Sequence, residues 1–473
     1  MSKDTLNEPW RSKGKRLSTA KYVKLPKHLE HINQMAAGID IGSKSHFVCV
    51  PEGCDAVSVR EFQSFTADLY ELVSWLKQCR IETVAMESTG VYWIALYELL
   101  ESEGFEVKLV DARHVKNVSG RKTDVMDCQW LQQLHTYGLL SGAFRPEQQV
   151  CALRAYLRQR NMLIEQAGSH IQHMQKALSQ MNIQLHNVIS DITGDTGMKI
   201  IRAMVSGERD PALLAKYRDP RCKNSVETIK KSLTGYYREE HLFALTQAVE
   251  LYEVYQAKIA ACDREIEKQL GQFKEIARQV PEIEKTVREK RKSRSHCKNE
   301  LSFDVKTHLI RLTGVDLTAI PGIEASSALK IVSEIGLDLT RWKTSKQFAS
   351  WLGLCPGNKV SGGKRLSGKS KRTANYASKT LRMAASTLHR SQTALGAFFR
   401  RLKSRLGAPK AITAAAHKLA TIIFNMLKKG VEYVETGQNY YEEKYHERLV
   451  KSLSLRAKTL GFDLVKTPMN SVA

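Results

Sequence analysis

Asp40 closes one β-type run of the chain, Glu87 closes another, and Asp124 and Asp127 stand three apart near the start of a helical pattern. Residues three apart on a helix are neighbours, with about 5–6 Å between their Cβ atoms, so the last two can face one site together. Four gathered carboxylates repel one another and shift their pKa values upward unless cations offset them. Hard divalent metals do that, and two of them about 3.5–4 Å apart would hold the attacking and leaving oxygens of a phosphodiester. Taken singly, each acid reads as an ordinary strand-end or helix-cap carboxylate; as a set in this strand and helix order, the four favour a metal site. Gly42, Ser43 and Lys44 after Asp40, and Arg121 and Lys122 before Asp124, would bring backbone and positive charge to a phosphate beside it.

A second constellation is "NKVSGGKRLSGKSKR", Asn358 to Arg372, with six lysines and arginines and no acid. For Ser361 to attack phosphorus its hydroxyl must come close to a phosphate, and Gly362 and Gly363 remove side chains that would block the approach. Lys364, Arg365, Lys369, Lys371 and Arg372 would bind the phosphate oxygens and stabilise charge developing in the transition state. No general base lies nearby. Either a distant part of the protein supplies one, or Ser361 is a loop hydroxyl that binds phosphate.

The elements that must position these groups fall into an α/β plus α arrangement. Residues 36–50 form a β-rich run broken by Gly42, with "DAVSVREFQ" as its antiparallel partner. Then come the helix "TADLYELVSWLKQC" capped by Thr66, the strand "ETVAMES", the helix "GVYWIALYELLESEG", the strand "EVKLVDA" and a helix over 123–139. Antiparallel strands followed by alternating helix and strand imply a mixed sheet flanked by helices, the order of the ribonuclease-H-like fold. From Val150 the period changes to steps of three and four. One seam runs to Met181 with Arg160 as its polar interruption, a second runs from Leu242 to Val280 with Gln256 and Asp263, and both read as coiled-coil seams. They pair either within one chain or between subunits, and the apolar surface they expose favours association. "LTAIPGIEASSALKIVSEIG" (317–336) reads as helix, Pro-Gly turn, helix, either a helix-hairpin-helix or an ordinary helical hairpin.

The division expected is a basic flexible arm at 1–34, an α/β domain at 35–147, a coiled-coil and helical domain with a charged linker at 148–305, a mainly helical serine domain at 306–440 and a tail at 441–473. The net charge is +24, and the 93 residues between Asp338 and Glu432 carry 20 Lys or Arg and no Asp or Glu. Excluding acids over a domain-length stretch points to nucleic acid. The nine cysteines show no C-x-x-C pair, which reads as reduced, mostly buried thiols. No apolar run reaches the ~18 residues of a membrane span, and the first residues lack a secretory core, so the expected location is cytoplasmic.

"GIDIGSKSH", "AMESTGVYW", "LVDARHVKNVSGRKTDVMDCQWL" and "FASWLGLCPGNKVSGGKRLSGKSKR" together resemble the transposases of the insertion-sequence 110 family, and "VISDITGDTGMKIIRAMVSGERDP" looks like its insertion-sequence 1111 group. The resemblance spans about residues 36–445. It implies a DEDD domain of the Holliday-junction-resolvase type, a coiled coil, and a C-terminal domain with a nucleophilic serine. The family's acids fall on Asp40, Glu87, Asp124 and Asp127, and its serine on Ser361. Members resemble one another in being guided by a structured noncoding bridge RNA that pairs with target and donor DNA. They act with magnesium (or manganese) as homo-oligomers, dimers or tetramers, in which the acids of one subunit complete the serine site of another. A bacterial, nucleoid-associated location follows from the same resemblance. The chain departs from many relatives at Val360, where a second hydroxyl residue is common, which leaves Ser367 as the rival nucleophile. Alternatives are a site-specific DNA invertase of the same chemistry, resembling the pilin-gene inverting enzymes, a metal-dependent Holliday-junction resolvase, and a non-enzymatic RNA-binding or architectural protein.

Overall fold

The computed structural model describes residues 32–110, 124–140, 142–274, 299–371, 373 and 375–465, apart from the side chains of Lys359 and Arg365. The chain divides into two compact units, Met1–Arg145 and Pro146–Ala473.

In the first unit, β1 (Ala36–Ile41), β2 (Ser45–Cys49), β3 (Val59–Gln63), β4 (Thr83–Glu87) and β5 (Glu106–Val110) form one sheet in the order β3-β2-β1-β4-β5. β1 pairs antiparallel with β2 and parallel with β4, β2 pairs antiparallel with β3, and β4 runs parallel to β5. The break expected at Gly42 is the β1–β2 turn. Its N–H donates to the Ser45 carbonyl at 3.1 Å, and a Cβ there would stand 2.5 Å from that oxygen. Only glycine closes the turn at this separation.

Side chains alternate across a strand, so the sheet has two differently covered faces. Ile39, Ile41, Val48, Val84 and Met86 share a core with Leu72 and Leu76 of α1 (Thr66–Gln78) and Leu96 and Leu100 of α2 (Trp93–Ser102). Ala85 and Val110, from the other face, pack with Leu131 of α3 (Asp124–Thr136). Thr66 is the first residue of α1 rather than its cap; Phe65 takes the cap position and its side chain makes no capping bond. The Ile32 and Asn33 amides both donate to the Thr136 carbonyl, at 2.9 and 3.0 Å, which ties these residues to the end of α3.

His135 sits buried beneath this sheet. The Thr83 hydroxyl donates to the Glu106 carbonyl at 2.9 Å, so its remaining contact, 2.8 Å to His135 Nε2, is filled by a proton on that nitrogen. Burial, helped by the charge of Lys108, lowers the His135 pKa from 6.5 to about 4. A histidine whose pKa falls on folding contributes stability that is complete above the unfolded value and is lost as pH drops toward the folded one. The melting temperature of the protein is therefore expected to fall between pH 6.5 and about 4. His135→Gln removes the titrating group and should flatten that slope in a thermal melt series, while lowering stability at neutral pH.

The second unit is built on α4 (Gln148–Gln180) and α9 (Glu239–Gln272), of 33 and 34 residues. Between them lie α5 (Leu185–Val188), α6 (Asp195–Val205), α7 (Pro211–Ala215) and α8 (Val226–Leu233). The two long helices pack on each other within the chain. Arg160 meets Asp263 and His170 stacks on Tyr255, so the pair runs antiparallel. The seams that sequence favoured for subunit association are thus consumed internally, with Leu245 and Ile266 fully buried. The polar interruptions have partners too. The buried Arg160 guanidinium pairs with Asp263 and donates to the carbonyls of Asn299 and Glu300 at 3.2 and 3.0 Å, while Asp263 accepts from the Ser302 amide at 3.1 Å.

Beyond this anchor come α10 (Val305–Thr313), a 3-10 turn at Leu317–Ala319, α11 (Ala325–Ile335) and α12 (Ser345–Trp351). The expected first helix of 317–336 is only that turn, since Pro321 disfavours a helical Ile320. Gly322 of the Pro-Gly turn is packed, its Cβ position 2.9 Å from the Ala384 carbonyl. A short ribbon, β6 (Lys359–Ser361) and β7 (Lys364–Ser367), interrupts an otherwise helical unit. α13 (Tyr376–Thr387), α14 (Ala394–Leu406), α15 (Ala408–Lys429) and α16 (Gln438–Thr459) follow, so much of the expected tail is helix.

Among the described residues no helix is long and apolar enough to cross a membrane. Cys49, Cys79 and Cys128 are buried thiols and the other five described cysteines are half-buried, fewer buried than expected; Cys297 lies outside the described residues.

Candidate active site

Asp40 and Glu87 are brought side by side by strand register. The parallel pairing of β1 and β4 matches Ile39 with Met86, so the next position on each strand carries the two acids. Paired parallel strands lie about 4.8 Å apart. By alternation both acids belong to the face that carries Gly38 and Ala85, the face covered by α3.

Gly38 lets that helix come down onto the sheet. A Cβ there would lie 2.3 Å from the Gln132 amide nitrogen and 2.4 Å from the Cys128 carbonyl. With α3 seated so, Cys128 rests against Cys49, and its thiol pKa is pushed well above the usual range by that contact first, then by burial and the nearby charge of Asp40. Asp124 and Asp127 occupy the first turn of the same helix, one turn before Cys128 and beside it. A helix N-terminus favours negative charge, which offsets part of the repulsion of two acids placed there. Asp40, Glu87 and Asp127 are half-buried and Asp124 is exposed.

The donor chemistry, four carboxylates toward one face of one sheet, suits a hard divalent cation. Among the described residues, however, no three His, Cys, Asp or Glu side chains stand close enough to enclose a metal. Lys44 is exposed in the β1–β2 turn that follows Asp40. Arg121 and Lys122 lie outside the described residues, in the run that leads into α3.

In the second unit, Gly362 and Gly363 form the two-residue turn of the β6–β7 ribbon, with φ of 53° and 74°. Two successive positive φ values define the mirror-image hairpin turn that glycine adopts without strain. The glycines therefore do more than clear space: they shape the tip that holds Ser361 opposite Lys364. The base is anchored. Pro356 bridges Ser370, and the Gly357 amide donates to the Lys369 carbonyl at 3.0 Å. Ser361 is exposed, as are Lys364, Lys369 and Lys371.

Ser367 differs from Ser361. It is half-buried and its hydroxyl accepts from the Lys369 amide at 3.3 Å, whereas no described residue bonds the Ser361 hydroxyl. The Arg365 side chain and Arg372 lie outside the described residues. Sequence reasoning missed the ribbon itself, although "VSGGKRLS" carries the hairpin signal of two glycines between short runs.

Two family models match the chain in order. A DEDD transposase model of the IS110 type, described as Transposase, covers residues 37–183, and the Transposase IS116/IS110/IS902 family model covers residues 316–400. The first match takes in all four acids and the second takes in the serine ribbon. No curated protein matches the chain.

Proposed function

We propose that this chain, which two transposase family models match over residues 37–183 and 316–400, cleaves and rejoins DNA by a phosphoserine mechanism with Ser361 as the nucleophile. What carries this reading is the glycine turn, which presents opposite Lys364 an exposed serine whose hydroxyl no described residue bonds, within a 93-residue stretch that holds no carboxylate.

The Ser361 hydroxyl loses its proton to a carboxylate of the acid set and its oxygen attacks phosphorus. A P–O bond to a deoxyribose oxygen breaks, and that oxygen leaves as a hydroxyl once protonated. The strand end remains as a serine phosphodiester. A deoxyribose hydroxyl from the partner DNA then attacks the same phosphorus, its proton passes to the carboxylate, and serine is regenerated. Bonds broken and formed are alike, so rejoining needs no external energy source. Lys364, Lys369 and Lys371 bind the phosphate oxygens as charge builds on them.

Asp40, Glu87, Asp124 and Asp127 would hold magnesium (or manganese), which would supply Lewis-acid stabilisation of the phosphate. The sheet order of the first unit supports a ribonuclease-H-like domain for these acids. Since the 93-residue stretch around the serine holds no carboxylate, the acids act on it from another subunit of a homo-oligomer. The acid-free stretch also supports binding of target and donor DNA and of a structured guide RNA, and the run over 188–211 supports a reading as the insertion-sequence 1111 group.

The test is a denaturing-gel assay for protein–DNA adducts on a plasmid carrying the element with its flanking DNA. The unaltered chain and Ser367→Ala should each form the adduct, and Ser361→Ala should form none. An adduct from Ser361→Ala would remove the serine from this role.

A further inference from the structure

Val360 and Leu366 stand between the anchored base of the ribbon and its glycine tip, and they are 60% and 70% exposed. Among the described residues β6 and β7 pair only with each other. The register steps between Lys359 and Val360, leaving Leu366 as the extra residue of a bulge with none opposite. Bulges next to active sites re-aim side chains. Here the bulge puts the larger apolar group on the surface.

The surroundings narrow what covers this pair. Lys364, Lys369 and Lys371 are exposed around it, and no carboxylate occurs anywhere from Leu339 to Val431. The occupant is therefore anionic along its edge and apolar within reach of that edge. DNA has this make-up: phosphates outside, base faces and thymine methyls inside. A protein surface with that charge would have to be acidic and apolar at once, and the outer face of α9 has that make-up, with Glu239, Glu240, Glu250 and Glu253 beside exposed Phe243, Leu251 and Val254; DNA is favoured because it also supplies the phosphate held at Ser361. Val360 adjoins Ser361, and neighbouring Cα atoms are about 3.8 Å apart, close to the rise of about 3.4 Å per nucleotide along one strand. A phosphate held at Ser361 places the flanking base step beside Val360.

We propose that Val360 and Leu366 are an apolar wedge that enters the base step beside the phosphate held at Ser361 and keeps it unstacked. The inference rests on the reading of Ser361 only for where that phosphate lies. Unstacking a base step takes free energy, and less of it where the step is already mismatched, so a wedge binds opened DNA more tightly.

The experiment compares the full chain on a mixed-sequence duplex of about 30 base pairs and on the same duplex with two adjacent mismatches, with a preference for the second of about tenfold expected. The Val360→Ser, Leu366→Ser double variant should bring this to within about twofold while leaving the salt dependence unchanged, since no phosphate-binding charge is altered. Equal binding of both duplexes by the unaltered chain, or an undiminished preference in the variant, overturns the wedge. A smaller mass for the variant in light scattering, with the preference intact, would assign the two side chains to a contact between copies instead. Ser361→Ala loses no apolar surface and should keep the preference. If that variant still forms the adduct while the preference stands, the serine reading fails and the wedge survives.

Discussion

Asp40→Ala, Glu87→Ala and Asp127→Ala are each expected to reduce recombination by about a thousandfold or more, the several kcal/mol that carboxylate-held metal supplies to a phosphoryl transition state. Each should leave RNA and DNA binding within about twofold, because none removes a phosphate-binding cation. The decisive form of the measurement mixes variants. Ser361→Ala and Asp40→Ala are each inactive alone, but a mixed oligomer can bring an intact acid set to an intact serine, and activity should partly return. Failed complementation, with subunit mixing verified, would mean that each subunit completes its own site. Strong magnesium-dependent cutting by Ser361→Ala alone would mean that the acids act as an independent hydrolase, since metal-activated water needs no protein nucleophile.

Asp263→Ala should be the most destabilising single change in the helical unit, by about 3–5 kcal/mol, because it leaves the buried Arg160 charge unpaired. The urea midpoint measures the loss. The double replacement Arg160→Met, Asp263→Leu should recover much of it, as apolar side chains of similar volume often match a buried ion pair in stability. It should not restore everything local, since Arg160 also holds the Asn299 and Glu300 carbonyls and Asp263 the Ser302 amide. Limited proteolysis should therefore cut near 299–302 in both variants. Equal protease resistance in the double variant would show that this segment is held by other contacts.

The elements around the acids were readable because each strand and helix is short, strongly patterned and closed by a local signal. Gly42 marks a turn whatever lies beyond it, and the β-rich run "AGIDI" before it marks a strand. Asp124 and Asp127 share a face through helical spacing alone. The adjacency of Asp40 and Glu87 is different, because it depends on a parallel register between strands 47 residues apart. Gly38 is different again: its need for a bare Cα comes from the backbone of α3, which no local pattern encodes.

Sequence by itself determined the chemistry on offer and its order along the chain: four carboxylates first, two apolar seams next, then a serine among cations with no acid near. Composition and spacing are properties of the covalent chain, so they need no fold to be read. Tertiary structure alone decided how those pieces are used. It closed the seams on each other, because a charged Arg160 cannot be buried without Asp263 opposite it. It also turned the Gly362–Gly363 pair into the tip of an anchored ribbon, because strand pairing across that turn is a choice of register that steric permission for glycine allows but does not impose.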